Sequence, residues 1–140
     1  MNDPEKMKNS RRGFLKLLLG LPLGFSAVKA IYGHQETRKK LLLNIFSIAG
    51  YQYYDGPTVE EELQQNAPLH LRPEAENPHD DFAVEILMED GHKLGYVPRS
   101  DNKAISRLLR QGANIEARID LFQPENESWQ RVKVEIKLVV

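Results

Sequence analysis

The sequence contains no cysteine among its 140 residues. Disulfide scaffolds and thiolate zinc sites are therefore excluded, and a metal site would have to use histidine and carboxylate ligands. The residues that could supply them are His70, His79, His92, Asp80 and Asp81. Their spacing matches no compact ligand motif, so we predict neither a metal site nor a cofactor.

Catalytic motifs are absent as well. The sequence has no nucleophile elbow, no Walker loop and no pair of carboxylates spaced for acid–base work. We therefore predict that the chain is not an enzyme and has no catalytic residues.

With 41% apolar residues, a chain of this length can form one domain around a modest core.

The first thirty residues have the features of an export signal. Ser10-Arg11-Arg12-Gly13-Phe14-Leu15-Lys16 is similar to the twin-arginine motif. The apolar run that follows, from Leu17 to Phe25, is shorter than the roughly 20 residues that span a bilayer. Val28-Lys29-Ala30 fits a small-residue cleavage site. We expect residues 1–30 to be a twin-arginine signal peptide, 31–40 a linker and 41–140 the folded domain.

This reading implies an exported, periplasmic protein that the twin-arginine translocase carries in its folded state. The alternative is a chance arginine pair at the start of an amphipathic or anchoring helix, which would leave the domain in the cytoplasm.

Charge is distributed unevenly along the chain. The formal net charge is −1, but residues 1–30 hold six of the basic and two of the acidic residues. Residues 31–140 therefore carry thirteen basic and eighteen acidic residues, a formal charge of −5. Binding along a duplex depends on many phosphate contacts, which a net acidic domain does not favour. If the domain binds nucleic acid, we expect one local pocket.

Apolar and polar residues alternate along most of the chain from Leu41 onward, which is typical of strands that bury one face. We predict a mainly β (α+β) fold: a small six-stranded barrel of the OB or SH3-like type with one or two short helices. Closing the sheet removes its exposed edges. The predicted strands are 41–49, 68–72, 84–88, 93–97, 115–121 and 132–140.

Two short helices are predicted from capping residues. Thr58 can cap a brief helix after Pro57, with Glu61 as its capping-box partner. Ser100 can cap a second helix over 101–111, which Gly112 would end in a left-handed conformation. The second helix is predicted to bury Ala104, Ile105, Leu108 and Leu109 and to expose Lys103, Arg107 and Arg110.

Three tyrosines lie close together just after the first predicted strand. They are Tyr51, Tyr53 and Tyr54, and Gly50 and Gly56 on either side permit sharp turns. Tyrosine rings stack on bases of any kind, which holds single-stranded nucleic acid without sequence readout. The alternative is that one or two of them pack beneath the barrel mouth as part of the core.

Two further segments carry polar groups that could contact a ligand. In the loop Asn77-Pro78-His79-Asp80, the Asp80 carboxylate can accept hydrogen bonds from backbone amides in a turn, from a ligand hydroxyl, or from both. Gly95-Tyr96-Val97-Pro98-Arg99 ends a strand where a helix begins, so Tyr96 and Arg99 lie near a helix N-terminus, a position that favours phosphates. Arg72 is a second possible phosphate partner, although each arginine could also be an ordinary solvated side chain.

Taken in their order along the chain, these elements resemble the HIRAN domain. This module is attached to SNF2-type helicases and also stands alone in bacteria. We expect the stand-alone form here. The resemblance covers about residues 41–122. It implies a barrel related to the OB-fold that binds single-stranded DNA at a free 3′ end. It further implies that Tyr53 and Tyr54 contact the terminal nucleotides, that Asp80 accepts from the 3′-hydroxyl and that Tyr96 contacts the ligand. The predicted nucleic-acid-binding residues are Tyr53, Tyr54, Arg72, Asp80, Tyr96 and Arg99.

Two functions therefore stay open. The first is a nucleic-acid-binding module that recognises a single-stranded end. The second is an exported envelope module that uses the same barrel mouth for a peptide, glycan or protein partner. The motifs favour the first function, whereas the export signal and the acidic domain favour the second.

Overall fold

Six strands and one α-helix make up the fold in the computed structural model, which describes residues 37–140. The predicted signal peptide and most of the predicted linker lie outside the described residues. The elements are β1 (Lys40–Ser47), β2 (Pro68–Pro73), β3 (Val84–Met88), β4 (Lys93–Tyr96), α1 (Arg99–Arg110), β5 (Ile115–Phe122) and β6 (Val132–Val139). Short 3-10 turns cover Tyr51–Tyr53, Gly56–Thr58, Glu60–Glu62 and Ser128–Gln130.

The strands form one antiparallel sheet in the order β1-β6-β5-β2-β3-β4. The two edge strands meet, because Ala49, just after β1, forms a bridge with Tyr96 of β4. Each residue donates its backbone N–H to the other's carbonyl oxygen at 2.9 Å. The predicted mainly β, six-stranded fold is therefore confirmed.

Irregular pairing bends the sheet toward closure. The register shifts between Leu42 and Asn44 of β1, between Ile86 and Leu87 of β3, and in the pairing of β5 with β6. Bulges of this kind increase the local twist and bend a strand. Gly95 permits the final contact: its φ is +146°, and a Cβ atom there would lie 2.6 Å from Cγ2 of Ile48.

The core lies inside the curled sheet. In β5 and β6, alternate residues are buried, as the period-two pattern predicts. The buried apolar residues of these two strands are Ala117, Ile119, Val132, Val134 and Ile136. Leu94, Val97 and Ile105 extend the core toward β4 and α1.

Two helix predictions need correction. The brief helix predicted after Pro57 consists of two 3-10 turns, but Thr58 does not cap it: the Thr58 hydroxyl donates back to the Asp55 carbonyl oxygen at 2.7 Å. α1 begins at Arg99, one residue before the predicted cap, and Ser100 bonds to the Asp101 carboxylate instead. Proline at the N-cap supplies an extended entry into the helix without a side-chain cap.

The buried face of α1 also differs from the prediction. Ile105 is buried and Leu109 packs against the core, but Ala104 is exposed. Instead of Ala104, the polar residues Asn102 and Ser106 are buried, with exposed fractions of 4% and 0%. The helix is thus rotated so that these polar residues face the barrel. No helix in the described part of the chain is both long and apolar enough to cross a membrane.

Candidate nucleic-acid interface

A cavity of about 380 Å³ opens where the barrel closes, between the turn after β1, the loop before β3 and the start of α1. Five of the six predicted site residues line it: Tyr53, Tyr54, Asp80, Tyr96 and Arg99. The sequence singled out neither Asn102 nor Ala49 for this site, and both line the cavity too.

The tyrosine segment divides its residues between core and cavity. Gly50 has a φ of +73°, and this left-handed turn starts the 3-10 turn over Tyr51–Tyr53. Tyr51 is fully buried, and its hydroxyl donates to Glu60 Oε1 at 3.1 Å. Burial, reinforced by Glu60, raises the pKa of Tyr51. Tyr51 therefore anchors the segment, while Tyr53 is 78% exposed at the cavity.

A lysine holds two of the cavity's aromatic rings. Lys93 Nζ lies 4.3 Å from the ring centroid of Tyr54 and 4.1 Å from that of Tyr96. The two rings are in edge-to-face contact, with centroids 5.6 Å apart. Lys93 also donates to the Tyr96 hydroxyl at 2.7 Å, and that hydroxyl donates to Glu74 Oε2 at 2.7 Å. These contacts fix the orientation of both rings.

Beneath this lysine, Glu85 is buried with two cationic partners. Its carboxylate lies 3.0 Å from Lys93 Nζ and 2.6 Å from Arg72 Nε. Burial by itself raises the pKa of Glu85, but the hydrogen bonds and charges of Arg72 and Lys93 outweigh it, so the net pKa is lowered. Burial lowers the pKa of Lys93, and its bonds to Tyr96 and Glu85 outweigh that effect, so its net pKa is raised.

Arg72 is the predicted site residue that the structure does not bring to the cavity. It lies in β2 opposite Glu85 of β3, and its guanidinium bonds to that carboxylate. A cross-strand ion pair thus engages the side chain for which the sequence predicted a phosphate contact.

Asp80 is held at the cavity by hydrogen bonds to both of its oxygens. Oδ1 accepts the backbone N–H of Phe82 at 2.9 Å, and Oδ2 accepts from Asn102 Nδ2 at 2.7 Å. The Phe82 amide, together with Asn102 and the nearby Arg99, lowers the pKa of Asp80 despite some burial. The predicted turn role of Asp80 is therefore present in the structure.

The loop around Asp80 is organised by Asn77. Asn77 Oδ1 accepts the backbone N–H groups of His79 and Asp80, at 2.9 and 3.1 Å. Its amide donates to Glu74 Oε2 at 3.0 Å, the oxygen that also accepts from Tyr96. The loop and the aromatic pair are thus parts of one hydrogen-bonded network.

Arg99 stands at the rim of the cavity on the first turn of α1. Its side chain is 76% exposed, and Nε lies 3.7 Å from Asp80 Oδ2.

Among residues 37–140, no three histidine or carboxylate side chains are placed to hold a metal ion.

The family model described as the HIRAN domain matches residues 43–140 of this chain. The chain belongs to the HIRAN domain family. HIRAN domains are known as nucleic-acid-binding modules, so membership supports nucleic-acid binding. No curated protein matches the chain.

Two solved structures are similar to this HIRAN domain. A protein from Lactobacillus plantarum has a TM-score of 0.63 and 20% identity, over 72% of this chain and 96% of that one. The HIRAN domain of human HLTF has a TM-score of 0.58 and 18% identity, over 71% of this chain and 78% of that one. At these identities the likeness shows the shared fold.

Proposed function

We propose that the cavity binds the 3′ end of single-stranded DNA. The observation that carries the proposal is the combination, in one cavity of a HIRAN domain, of two accessible tyrosines, an ionised carboxylate and a rim arginine. Stacking, hydroxyl recognition and phosphate binding are the three contacts that a strand end requires.

Tyr53 and Tyr54 supply the stacking surfaces in this proposal. Tyr53 is the more exposed of the two, and Tyr54 is held by Lys93 and Tyr96. A ring that is already oriented loses less conformational entropy when a base stacks on it. Each stacked base contributes about 1–3 kcal/mol whatever its identity.

Asp80 distinguishes a free hydroxyl from a phosphate. A carboxylate has about four lone-pair sites. Phe82 and Asn102 occupy two of those on Asp80, which leaves capacity to accept the hydrogen of a 3′-hydroxyl. A 3′-phosphate cannot donate in its dianionic form and is repelled by the carboxylate.

Arg99 is the phosphate ligand in this proposal. Its guanidinium is exposed at the start of α1, where the helix dipole also favours an anion. Arg99 Nε lies 3.7 Å from Asp80 Oδ2, so a phosphate bound by Arg99 would belong to the terminal part of the strand. The local charge is therefore favourable although the domain as a whole is acidic.

The experiment is fluorescence anisotropy on the full chain, with one short DNA strand ending in a 3′-hydroxyl and the same strand ending in a 3′-phosphate. We expect tighter binding of the hydroxyl strand and loss of that preference in Asp80→Asn. Asp120→Asn removes a carboxylate outside the cavity lining and should keep the preference. Binding that is indifferent to the 3′ end would refute end recognition. An absence of binding at micromolar protein would favour a peptide or glycan partner for the same cavity.

A further inference from the structure

Three cationic side chains surround one aromatic ring beside the cavity. The ring is that of Phe82, which is half-buried just before β3. Lys103 Nζ lies 5.3 Å from its centroid, and the guanidinium carbons of Arg107 and Arg110 lie at 5.5 and 5.9 Å. Cations within about 6 Å of an aromatic ring are attracted by its quadrupole. We call this group of four side chains the basic face of α1.

The basic face has no acidic partner among the described residues. None of its three cations lies within ion-pair distance of a carboxylate there, whereas Lys40, Lys93, Arg131 and Lys137 each have one. Asp81, next to Phe82, contributes only its backbone carbonyl oxygen, which accepts from Arg110. Three like charges are thus held together in a domain that is acidic overall, a local field that attracts a polyanion.

The basic face is continuous with the cavity. Arg99 and Asn102 of the first turn of α1 line the cavity, and Lys103 begins the next turn. Arg99, Lys103, Arg107 and Arg110 are spaced by four, four and three residues, which places them along one side of a helix. From Arg99 to Arg110 the helix rises about 16 Å, enough to follow several consecutive phosphates.

We propose that the basic face binds the sugar–phosphate backbone of the strand on the 5′ side of the nucleotides held in the cavity. This inference rests on the proposed function, because the strand must start in the cavity to reach α1. Lys103, Arg107 and Arg110 bind phosphates, and Phe82 holds the three cations together in the free protein. Affinity should therefore grow with strand length even though only the end is recognised.

The test compares a trinucleotide and a decanucleotide, each with a 3′-hydroxyl and each repeated with a 3′-phosphate, by anisotropy from 50 to 200 mM salt. One variant of the full chain combines Lys103→Gln, Arg107→Gln and Arg110→Gln. The matched control combines Arg38→Gln, Lys39→Gln and Lys133→Gln, which removes three exposed cations that do not line the cavity.

We expect the variant to lose most of the decanucleotide's advantage while it keeps the trinucleotide affinity within about twofold. Three phosphate contacts on a single strand change the slope of log K against log salt by about 2, which is roughly a 20-fold change in affinity over this salt range. The variant's slope should be shallower by that amount, and the control should behave as the wild type, apart from a general charge effect shared by both strands.

Two results would overturn the inference, and they are distinguishable. In the first, the wild type prefers the 3′-hydroxyl, but the triple variant keeps the length advantage and the salt slope, or the control loses them to the same extent. This result refutes the role of the basic face and leaves the proposed function intact. A wild type that binds neither strand, or binds both without regard to the 3′ end, refutes the proposed function and with it a strand path that starts in the cavity.

Discussion

Ala49 and Tyr96 exchange two backbone hydrogen bonds of 2.9 Å, and these bonds both close the barrel and assemble the candidate site. The bridge holds the turn after β1 against β4. It thereby brings the Tyr54 ring to the Tyr96 ring, 5.6 Å away between centroids. Any change that opens the bridge should therefore impair folding and binding together.

Gly95→Ala should destabilise the domain. Its φ of +146° is strained for alanine, and the added Cβ would clash with the Ala49 carbonyl oxygen and Ile48. We expect a loss of at least about 2 kcal/mol in the free energy of unfolding, measured with urea. Gly91→Ala is the control, because Gly91 also has a positive φ but has open space around it. Equal losses in the two variants would show that the close approach to Ala49 does not matter.

Tyr53→Ala should weaken binding of a short single strand by about 1–3 kcal/mol for every base composition, since stacking does not depend on base identity. Its stability should change little, because the ring is 78% exposed. Anisotropy titrations with two homopolymeric strands measure the effect. Trp129→Ala removes an aromatic ring that is 56% exposed and lies outside the cavity lining. If that control loses as much affinity as Tyr53→Ala, binding does not depend on this cavity.

Glu85 should contribute to the loss of stability in acid. Its folded pKa is held below the ordinary 4.5 by Arg72 and Lys93 against the effect of burial. Near pH 4 the unfolded chain therefore binds more protons, so the contribution is present above about pH 4.5 and is lost as the pH falls through the folded pKa.

Glu85→Gln should accordingly be less stable at pH 7 by roughly 1–3 kcal/mol and should lose less stability on acidification than the wild type. Urea unfolding at several pH values between about 3 and 7 measures both effects. Glu125→Gln, at an exposed residue without an ion pair in the described structure, is the control. Parallel acid curves for the wild type and Glu85→Gln would contradict the assignment.

Ser106→Ala should stabilise the domain by roughly 1 kcal/mol. Among the described residues, the Ser106 hydroxyl is buried without a hydrogen-bond partner, and such a group keeps its full desolvation cost. Alanine is also the better helix former. Helix propensity alone accounts for a gain of about 0.5 kcal/mol when serine is replaced by alanine, and this is the gain expected without the burial effect. Thermal unfolding should show a clearly larger gain for Ser106→Ala; an equal or smaller gain would mean that the hydroxyl is satisfied.

Export stays a prediction of the sequence, because Arg11 and Arg12 lie outside the described residues. Replacing both by lysine should leave the precursor in the cytoplasm, since twin-arginine recognition needs the guanidinium pair and not merely positive charge. Fractionation followed by N-terminal sequencing measures this, with a mature start at Ile31 expected for the wild type. Unchanged export of the double variant would refute the targeting hypothesis.

Local patterns were enough to predict the strands. A strand with one buried face must alternate, so the pattern predicts 84–88 with the bounds that β3 has, and the bounds of the other five strands agree with the prediction to within two residues. Gly112 was likewise predicted as the helix exit, and its φ is +81°. These features depend on each residue's neighbours in the chain, which the sequence displays directly.

The cap roles predicted for Thr58 and Ser100 and the predicted burial of Ala104 are wrong because tertiary contacts decide them, whereas Ile105 is buried and Lys103, Arg107 and Arg110 are exposed as predicted. Asn102 faces inward because its amide bonds to Asp80, a contact between distant segments that local periodicity does not contain. Hydrophobicity alone favours Ala104 over Asn102 for burial, yet a polar side chain is stable inside when its hydrogen bonds are satisfied.

The candidate site depends partly on the sequence itself and partly on the tertiary structure. The sequence by itself determined which chemical groups were present: the tyrosine pair, Asp80, Tyr96 and Arg99, each in a recognisable motif. Only the tertiary structure decided that these five share a cavity, that Glu85 engages Arg72, and that Lys93 orients Tyr54 and Tyr96. The physical reason is that barrel closure and cross-strand pairing join residues far apart in the chain, and the partner of a charged side chain is set by that pairing.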